Sequence, residues 1–290
     1  MNHKVSLFKN FPDIVPPQLD TKCNSIGELV DLYGQLPFEA RNLHRGALLF
    51  KRMIEGGDKI WLGVAGAGVA GGMGGLIISL IKAGFVDVIC STGAQIYHDL
   101  HFAFGLPVKA ISPLFNDELL RQHGDTRIYD IGIREVETLE AQDETIRRFV
   151  RERHCDLGSR PLSSWEFNHM LGLWVAENSP HPERSFAVAA AQNGVPVFWD
   201  SLTNHSIAMN LIRTDQEGFP IVLSAQKDIR DSAAIAFGVN NNGFLELGGG
   251  GPKNFIQQTG PTISQILQID FEGAERGLQI GTAVEREGSL

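Results

Sequence analysis

Short apolar segments alternate with segments of helical period along most of the chain. KIWLGVA (59–65) and VDVICST (86–92) are apolar runs of strand length, whereas LIISLIKAG (76–84) and AQIYHDLHFAF (94–104) have the spacing of helices. Continuous apolar runs are typical of strands that are buried on both faces of a parallel sheet. This part of the chain therefore predicts two successive strand–helix units.

The same alternation continues toward the carboxyl end. Repeated units of this kind predict an α/β fold with a doubly wound, mostly parallel sheet, whose ligands bind at the carboxyl ends of the strands. The further predicted elements are a short strand and turn (126–135), a charged amphipathic helix (136–154), a helix (163–177), a helix and strand (184–199), a helix (228–239), a strand and loop (243–250), and a helix, turn and strand (265–283).

The first part of the chain has a different pattern. Residues 1–25 contain three prolines that discourage helix, and a helical pattern then runs from Ser25 to Glu55, with a second helix beginning near Phe38. Gly56 and Gly57 stop that helix. We therefore expect an N-terminal arm with helices (1–57), which extends an α/β domain (58–290).

Charge and composition narrow the classes of function. The net charge is −9 and the sequence has no basic stripe, which argues against nucleic-acid binding. Cys23, Cys90 and Cys155 are isolated, which favours a reducing cytoplasm, and no His, Cys and Asp spacing indicates a metal site. We see no signal peptide and no long apolar run, and expect no membrane association.

One stretch, GVAGAGVAGGMGG (63–75), holds candidate chemistry. Gly66, Gly68 and Gly71 satisfy G-x-G-x-x-G between a predicted strand and a predicted helix, which is the context of a dinucleotide site. Small residues there let backbone amides approach a pyrophosphate. Asp87 has roughly the offset of the usual ribose-binding acid, but it would begin its strand, at the wrong end. Tight packing of a helix on the sheet remains the alternative.

Three further loops of small residues follow predicted strands. They are STGAQ (91–95), LGGGGPKN (247–254) and GTA (281–283). Each alone is typical of a simple turn, but together they predict a nucleotide site at one crevice.

Several polar residues near predicted strand ends or helix starts have two interpretations. His98 is a candidate for proton transfer or contact with an amine, although helix histidines are more often surface or capping residues. His205, at a predicted strand end, is a candidate for cofactor contact. Asp99 is interpreted as a structural or helix-end charge rather than as a functional group. Glu246 is a candidate for holding an amine, although a solvated loop carboxylate is the commoner case.

Collinear segments give the chain a family resemblance from about Leu29 to its last residue. PFEARNLHRGALLF, VDVICSTGAQIYHDL, RIYD, NGVPVFW, LGGGGPKNFIQQTGP and EGSL resemble the deoxyhypusine synthase family, in particular its bacterial deoxyhypusine synthase-like branch. The resemblance implies a Rossmann-like, NAD-binding domain (58–290) and a homotetramer. It implies an NAD-dependent transfer of an aminobutyl group from spermidine or a similar polyamine to an acceptor amine, either a protein lysine or a small amine.

The resemblance also assigns site residues. The cofactor-binding positions it implies are Gly66, Ala67, Gly68, Val69, Ala70, Thr92, Gly93, Ala94, His98, Asn204, Gly249, Thr282 and Ala283. The substrate-binding positions it implies are Tyr97, His98, Asn254, Gly288 and Ser289.

The sequence departs from the family at the amine site. The family's polyamine-binding and NAD-binding acids fall on Tyr97, His98, Asn204 and Met209, and its histidine falls on Asn254. The family's nucleophilic lysine follows the Gly-Ser-Leu segment, so we expect this chain to lack it and assign no catalytic residue. A non-catalytic NAD- or polyamine-binding remnant and an NAD-dependent amine oxidoreductase therefore stay open as alternatives.

Overall fold

The chain divides between Gly56 and Gly57 into two compact units. The computed structural model describes residues 25–284. In the first unit His44 Nδ1 lies 3.1 Å from the carbonyl oxygen of Val30 and ties two helices together. These helices, which confirm the helical pattern expected there, are α1 (Ile26–Gln35) and α2 (Glu39–Glu55).

The second unit is built from strands and helices in alternation. Its strands are β1 (Lys59–Val64), β2 (Val88–Ser91), β3 (Val108–Ala110), β4 (Asp125–Ile128), β5 (Ile131–Arg134), β6 (Val197–Trp199), β7 (Asn242–Leu247) and β8 (Arg276–Ile280). Its helices are α3 (Gly74–Lys82), α4 (Gly93–Ala103), α5 (Asp117–Gln122), α6 (Ala141–Leu157), α7 (Ser164–Asn178), α8 (Phe186–Gln192), α9 (Ser206–Gln216), α10 (Ala225–Phe237), α11 (Gly251–Gln257) and α12 (Thr259–Pro261).

Five parallel strands of the described chain form the central sheet, in the order β6-β2-β1-β7-β8. Strand β1 lies in the middle, with Leu62 opposite Ile89 of β2 and Leu245 of β7. Every residue of β1 from Ile60 to Val64 is buried. A strand covered on both faces needs apolar residues at every position, which explains the continuous apolar run.

Helices cover both faces of this sheet. On one face the strand residues Trp61, Cys90 and Phe198 pack with Ala233 of α10 and Ile256 of α11. On the other face the ring of Phe167 in α7 packs 5.4 Å from the ring of Trp199, which points away from Phe198 in β6. The predicted α/β fold with a doubly wound, mostly parallel sheet is therefore confirmed.

A small antiparallel sheet, in the order β3-β5-β4, lies between α4 and α6 in sequence. Strands β4 and β5 form a hairpin with Ile128 paired to Ile131, which confirms the predicted strand and turn. The charged helix starts differently from the expectation: a π-helical segment (Glu135–Glu140) comes first, and α6 continues to Leu157. Strand β3 and helices α5, α9 and α11 were not anticipated from the sequence.

A buried carboxylate connects two helices of one layer. Asp99 of α4 is fully buried and accepts hydrogen bonds from the Ser185 hydroxyl and from the backbone N–H groups of Phe186 (3.0 Å) and Ala187 (3.2 Å). These donors belong to the amino end of α8, where a negative charge is favourable. Burial nevertheless raises the pKa of Asp99 to about 7. The expectation of a structural, helix-end charge is confirmed.

Removing this carboxylate should destabilise the fold. Asp99→Ala leaves three buried donors without their acceptor, and we expect the free energy of unfolding to fall by about 2–3 kcal/mol. Ser185→Ala should cost less, since the two N–H groups keep their acceptor. Chemical denaturation followed by circular dichroism measures both, with the exposed Glu118→Ala as control. A loss from Asp99→Ala no larger than that of the control would contradict the assignment.

Candidate functional site

The segments that follow the parallel strands meet at the carboxyl edge of the sheet. Backbone bonds tie neighbouring strand ends together: the Ala65 N–H donates to the Leu247 carbonyl (2.9 Å), and the Gly248 N–H donates to that of Ile280 (2.8 Å). The Asp200 N–H bonds the Ser91 carbonyl in the same way, at 3.1 Å. This edge collects most predicted cofactor positions, namely Gly66, Ala67, Gly68, Val69, Ala70, Thr92, Gly93, Ala94, Asn204, Gly249, Thr282 and Ala283.

The loop after β1 presents a row of unbonded amides. Among the described residues, the N–H groups of residues 66–70 have no hydrogen-bond acceptor, whereas the next three amides bond back into the loop. Gly66 has a φ of 79°, which favours glycine. The side chains of Val69 and Ala70 are buried, so these residues offer a ligand only their backbone. A row of free amides before a helix is suited to an anion.

This loop also forms one wall of a cavity of about 380 Å³. Ala67, Gly68 and Met73 line it from the loop, and Lys109 and Ile131 line it from the small sheet. Lys109 and Asp130 are both exposed and both line this cavity, so it carries one charge of each sign. The free amides are therefore the feature of this loop that favours an anionic group.

Helix α4 begins at the same edge and holds the loop after β1 in place. Thr92 caps the helix, since its Oγ1 accepts a hydrogen bond from the Gln95 N–H at 3.3 Å. The side-chain amide of Gln95 in turn donates to the carbonyl of Gly66. Sequence reasoning missed Gln95, whose only signal was its place in the STGAQ loop.

His205 supplies a buried donor at the end of the loop after β6. Its Nδ1 accepts a hydrogen bond from the Ala208 N–H at 3.2 Å, so Nε2 carries the ring proton. Nε2 is buried and has no partner among the described residues. Burial lowers the pKa of His205 to about 4, so the ring is neutral near pH 7. The ring packs beside Trp199 and occupies the space that a Cβ on Gly93 would need.

Tyr97, one of the predicted substrate residues, is committed to packing. It is buried, and its hydroxyl lies 2.8 Å from Asp143 Oδ1 and 2.9 Å from the Leu139 carbonyl. Asp143 also accepts a hydrogen bond from Asn210 at 2.7 Å, so the group connects α4, α6 and α9. Burial raises the pKa of the Tyr97 hydroxyl, which stays protonated.

His98 is half-buried and belongs to a chain of three polar side chains. Its Nδ1 lies 3.1 Å from His101 Nε2, and His101 Nδ1 lies 3.3 Å from Gln142 Oε1. Because the Gln142 oxygen can only accept, His101 Nδ1 is protonated and its Nε2 accepts the proton of His98 Nδ1. The unprotonated ring nitrogen of His98 is therefore Nε2. Burial lowers the pKa of His98, and that of His101 to about 3.

The remaining predicted residues differ in their surroundings. Asn204 precedes His205 and is exposed, and Asn254 lies exposed on α11. Gly288 and Ser289 lie outside the described residues. Asp87 accepts a hydrogen bond from the Ile60 N–H at 2.8 Å, at the amino end of the sheet, as the sequence suggested.

Two features are absent from residues 25–284. No helix in this range combines the length and apolar character needed to cross a membrane. The same range holds no group of three or more His, Cys, Asp or Glu side chains arranged for a metal ion.

Comparison with known proteins places the chain in a family. The family model for deoxyhypusine synthase matches residues 28–290. A deoxyhypusine synthase-like protein of Thermosynechococcus vestitus is 33% identical, over 92% of this chain and 68% of the relative. Probable deoxyhypusine synthase 2 of Methanosarcina mazei is 35% identical, over 100% of this chain and 81% of the relative.

A solved structure shares the fold. The crystal structure of a candidate deoxyhypusine synthase from Entamoeba histolytica superposes with a TM-score of 0.67, at 17% identity. The match covers 94% of this chain and 90% of the other. From the family model and the two relatives, the chain belongs to the deoxyhypusine synthase family.

Proposed function

We propose that this chain is an NAD-dependent transferase that moves an aminobutyl group from spermidine, or a similar polyamine, to an acceptor amine. The observation that carries the proposal is the meeting of free amides, a capped helix start and small-residue loops at one edge of the sheet, in a member of the deoxyhypusine synthase family. The reaction balances: the polyamine is cleaved into an aminobutyl group, which the acceptor amine gains, and a propane diamine, which is released. No net oxidation occurs.

The residues at this edge fit a nicotinamide dinucleotide. The free amides of residues 66–70 suit its pyrophosphate. The buried Nε2–H of His205 is an unused donor for a polar group of the ligand. Gly249, Thr282 and Ala283 would contact the nicotinamide half. When bound, NAD supplies the hydride acceptor and donor for the amine carbon.

In this proposal His98 accepts a proton from the substrate. Its neighbours fix the lone pair on Nε2, and burial keeps the ring neutral. A neutral imidazole of this kind accepts a proton from the substrate ammonium, which an amine must lose before its carbon is oxidised. Tyr97 stays in the packing of α4 against α6 and holds the helix that presents His98.

Changing the loop after β1 should weaken NAD binding. Gly66→Val places a branched side chain at a positive φ and beside the free amides, so we expect at least about a tenfold loss of NAD affinity by calorimetry. Gly66→Ala should show a smaller loss. Gly75→Ala is the matched control, since a Cβ there meets no atom within 4 Å. A well-folded wild-type protein that takes up no NAD would overturn the proposal.

The transfer itself is tested with labelled substrate. The protein expressed from its complete reading frame is incubated with NAD, spermidine labelled in its aminobutyl part, and a diamine acceptor. We expect mass spectrometry to find the label on the acceptor. Spermidine-dependent accumulation of NADH without transfer would instead favour an amine oxidoreductase. NAD binding with neither reaction would favour a non-catalytic binder.

A further inference from the structure

Glu246 is a charged residue in the middle of the sheet. It lies in β7 with no exposed surface, and both carboxylate oxygens are buried without a hydrogen-bond partner among the described residues. The expectation of a solvated loop carboxylate is therefore wrong, because β7 lies inside a sheet covered on both faces. A buried carboxylate without partners is unfavourable unless a cation or donors reach it.

The strand next to Glu246 leaves room for this carboxylate. Gly63 of β1 is the register partner of Glu246, and a Cβ at position 63 would overlap the carboxylate oxygens. The carboxylate therefore extends across β1, on the face of the sheet that α10 and α11 cover. The first glycine of the GVAGAGVAGGMGG stretch serves the carboxylate rather than the free amides.

A second carboxylate lies on the same face. Cys90 is the register partner of Gly63, and Phe198 is the register partner of Cys90. Asp200 follows β6, and its Oδ2 lies against Gly251, the first residue of α11, which covers the same face. Burial raises the pKa of the Cys90 thiol, and the charges of Asp200, Glu246 and Asp228 raise it further.

Asp200 lies closer to solvent than Glu246. It is half-buried, and its Oδ1 is buried without a partner among the described residues. Its Oδ2 occupies the space that a Cβ on Gly251, the first residue of α11, would need. The two carboxylates thus lie on the same face of the sheet, with Asp200 half-buried after β6 and Glu246 fully buried in β7.

A lysine of helix α11 interacts electrostatically with Glu246. Lys253 of α11 lowers the pKa of Glu246 by its charge, but it also donates a hydrogen bond to Gln279 at 2.8 Å. Burial is the larger effect and raises the pKa of Glu246 to about 7; it also raises that of Asp200. A further cation would favour the ionised form of both carboxylates.

We propose that Glu246 and Asp200 form an ammonium-binding subsite for the polyamine. This inference rests on the proposed function. An ammonium group has three N–H donors, which match the unpartnered oxygens of Glu246 and Asp200. A polyamine carries more than one such group, so a subsite with one carboxylate at the edge and one inside favours an extended cation.

The subsite would replace acids that this chain lacks. The family's acids after β6 fall on Asn204 and Met209, both of which are uncharged and exposed. Glu246 and Asp200 return two negative charges to the same edge, from strand β7 and from the end of β6. Compared with the family's acids, the negative charge would lie at a different place in the site.

Isosteric variants test the subsite. We expect Glu246→Gln and Asp200→Asn each to weaken spermidine binding about tenfold or more, measured by calorimetry on the NAD-saturated protein. NAD affinity should stay at the wild-type value and Tm should not fall, because each change keeps the side-chain volume and removes an unpaired charge. Glu118→Gln, at an exposed carboxylate of α5, is the matched control.

The outcomes separate this inference from the function on which it rests. Wild-type spermidine affinity in both variants, in a protein that transfers the aminobutyl group, overturns the subsite and leaves the function standing. A wild-type protein that binds NAD but no polyamine overturns both. Equal losses of NAD and spermidine affinity indicate a structural role and also overturn the subsite. If Glu246→Gln does not fold, Asp200→Asn alone decides, since Asp200 is only half-buried.

Discussion

The parallel register of β1 between β2 and β7 is the constraint on which the cleft depends. The three strands are parallel and end at the same level, so the segments that follow them lie at the same edge of the sheet. The loop amides, the start of α4 and the loop after β7 are neighbours for that reason alone. A shift of β1 by one residue would turn Gly63 to the other face and leave Glu246 without room.

The sequence predicts well those features that depend on burial on both faces. Strands β1 and β2 are continuous apolar runs, and the run of glycines between β1 and α3 predicts a loop there. Helix α9 escaped prediction because His205, an uncommon capping residue, begins it. Strand β3 is too short, and too exposed at Lys109, to give a pattern. In both cases tertiary contacts decide what local composition leaves open.

The site follows the same division. Backbone features such as the glycine loop and the Thr92 cap could be anticipated, since they depend on residues close in sequence. Gln95, Asp200 and the burial of Glu246 could not, because each depends on a partner contributed by another crossover. FLEL predicts a strand, but only the sheet order shows that this strand has neighbours on both sides and that its glutamate is enclosed.

The bond from the Gln95 amide to the Gly66 carbonyl has a thermodynamic consequence. It joins the loop after β1 to the first turn of α4, while Asp99 joins α4 to α8. The cleft wall is therefore already ordered before any ligand arrives, and little conformational entropy is left to lose on association. The heat-capacity change of ligand uptake would then report buried apolar area rather than loop folding.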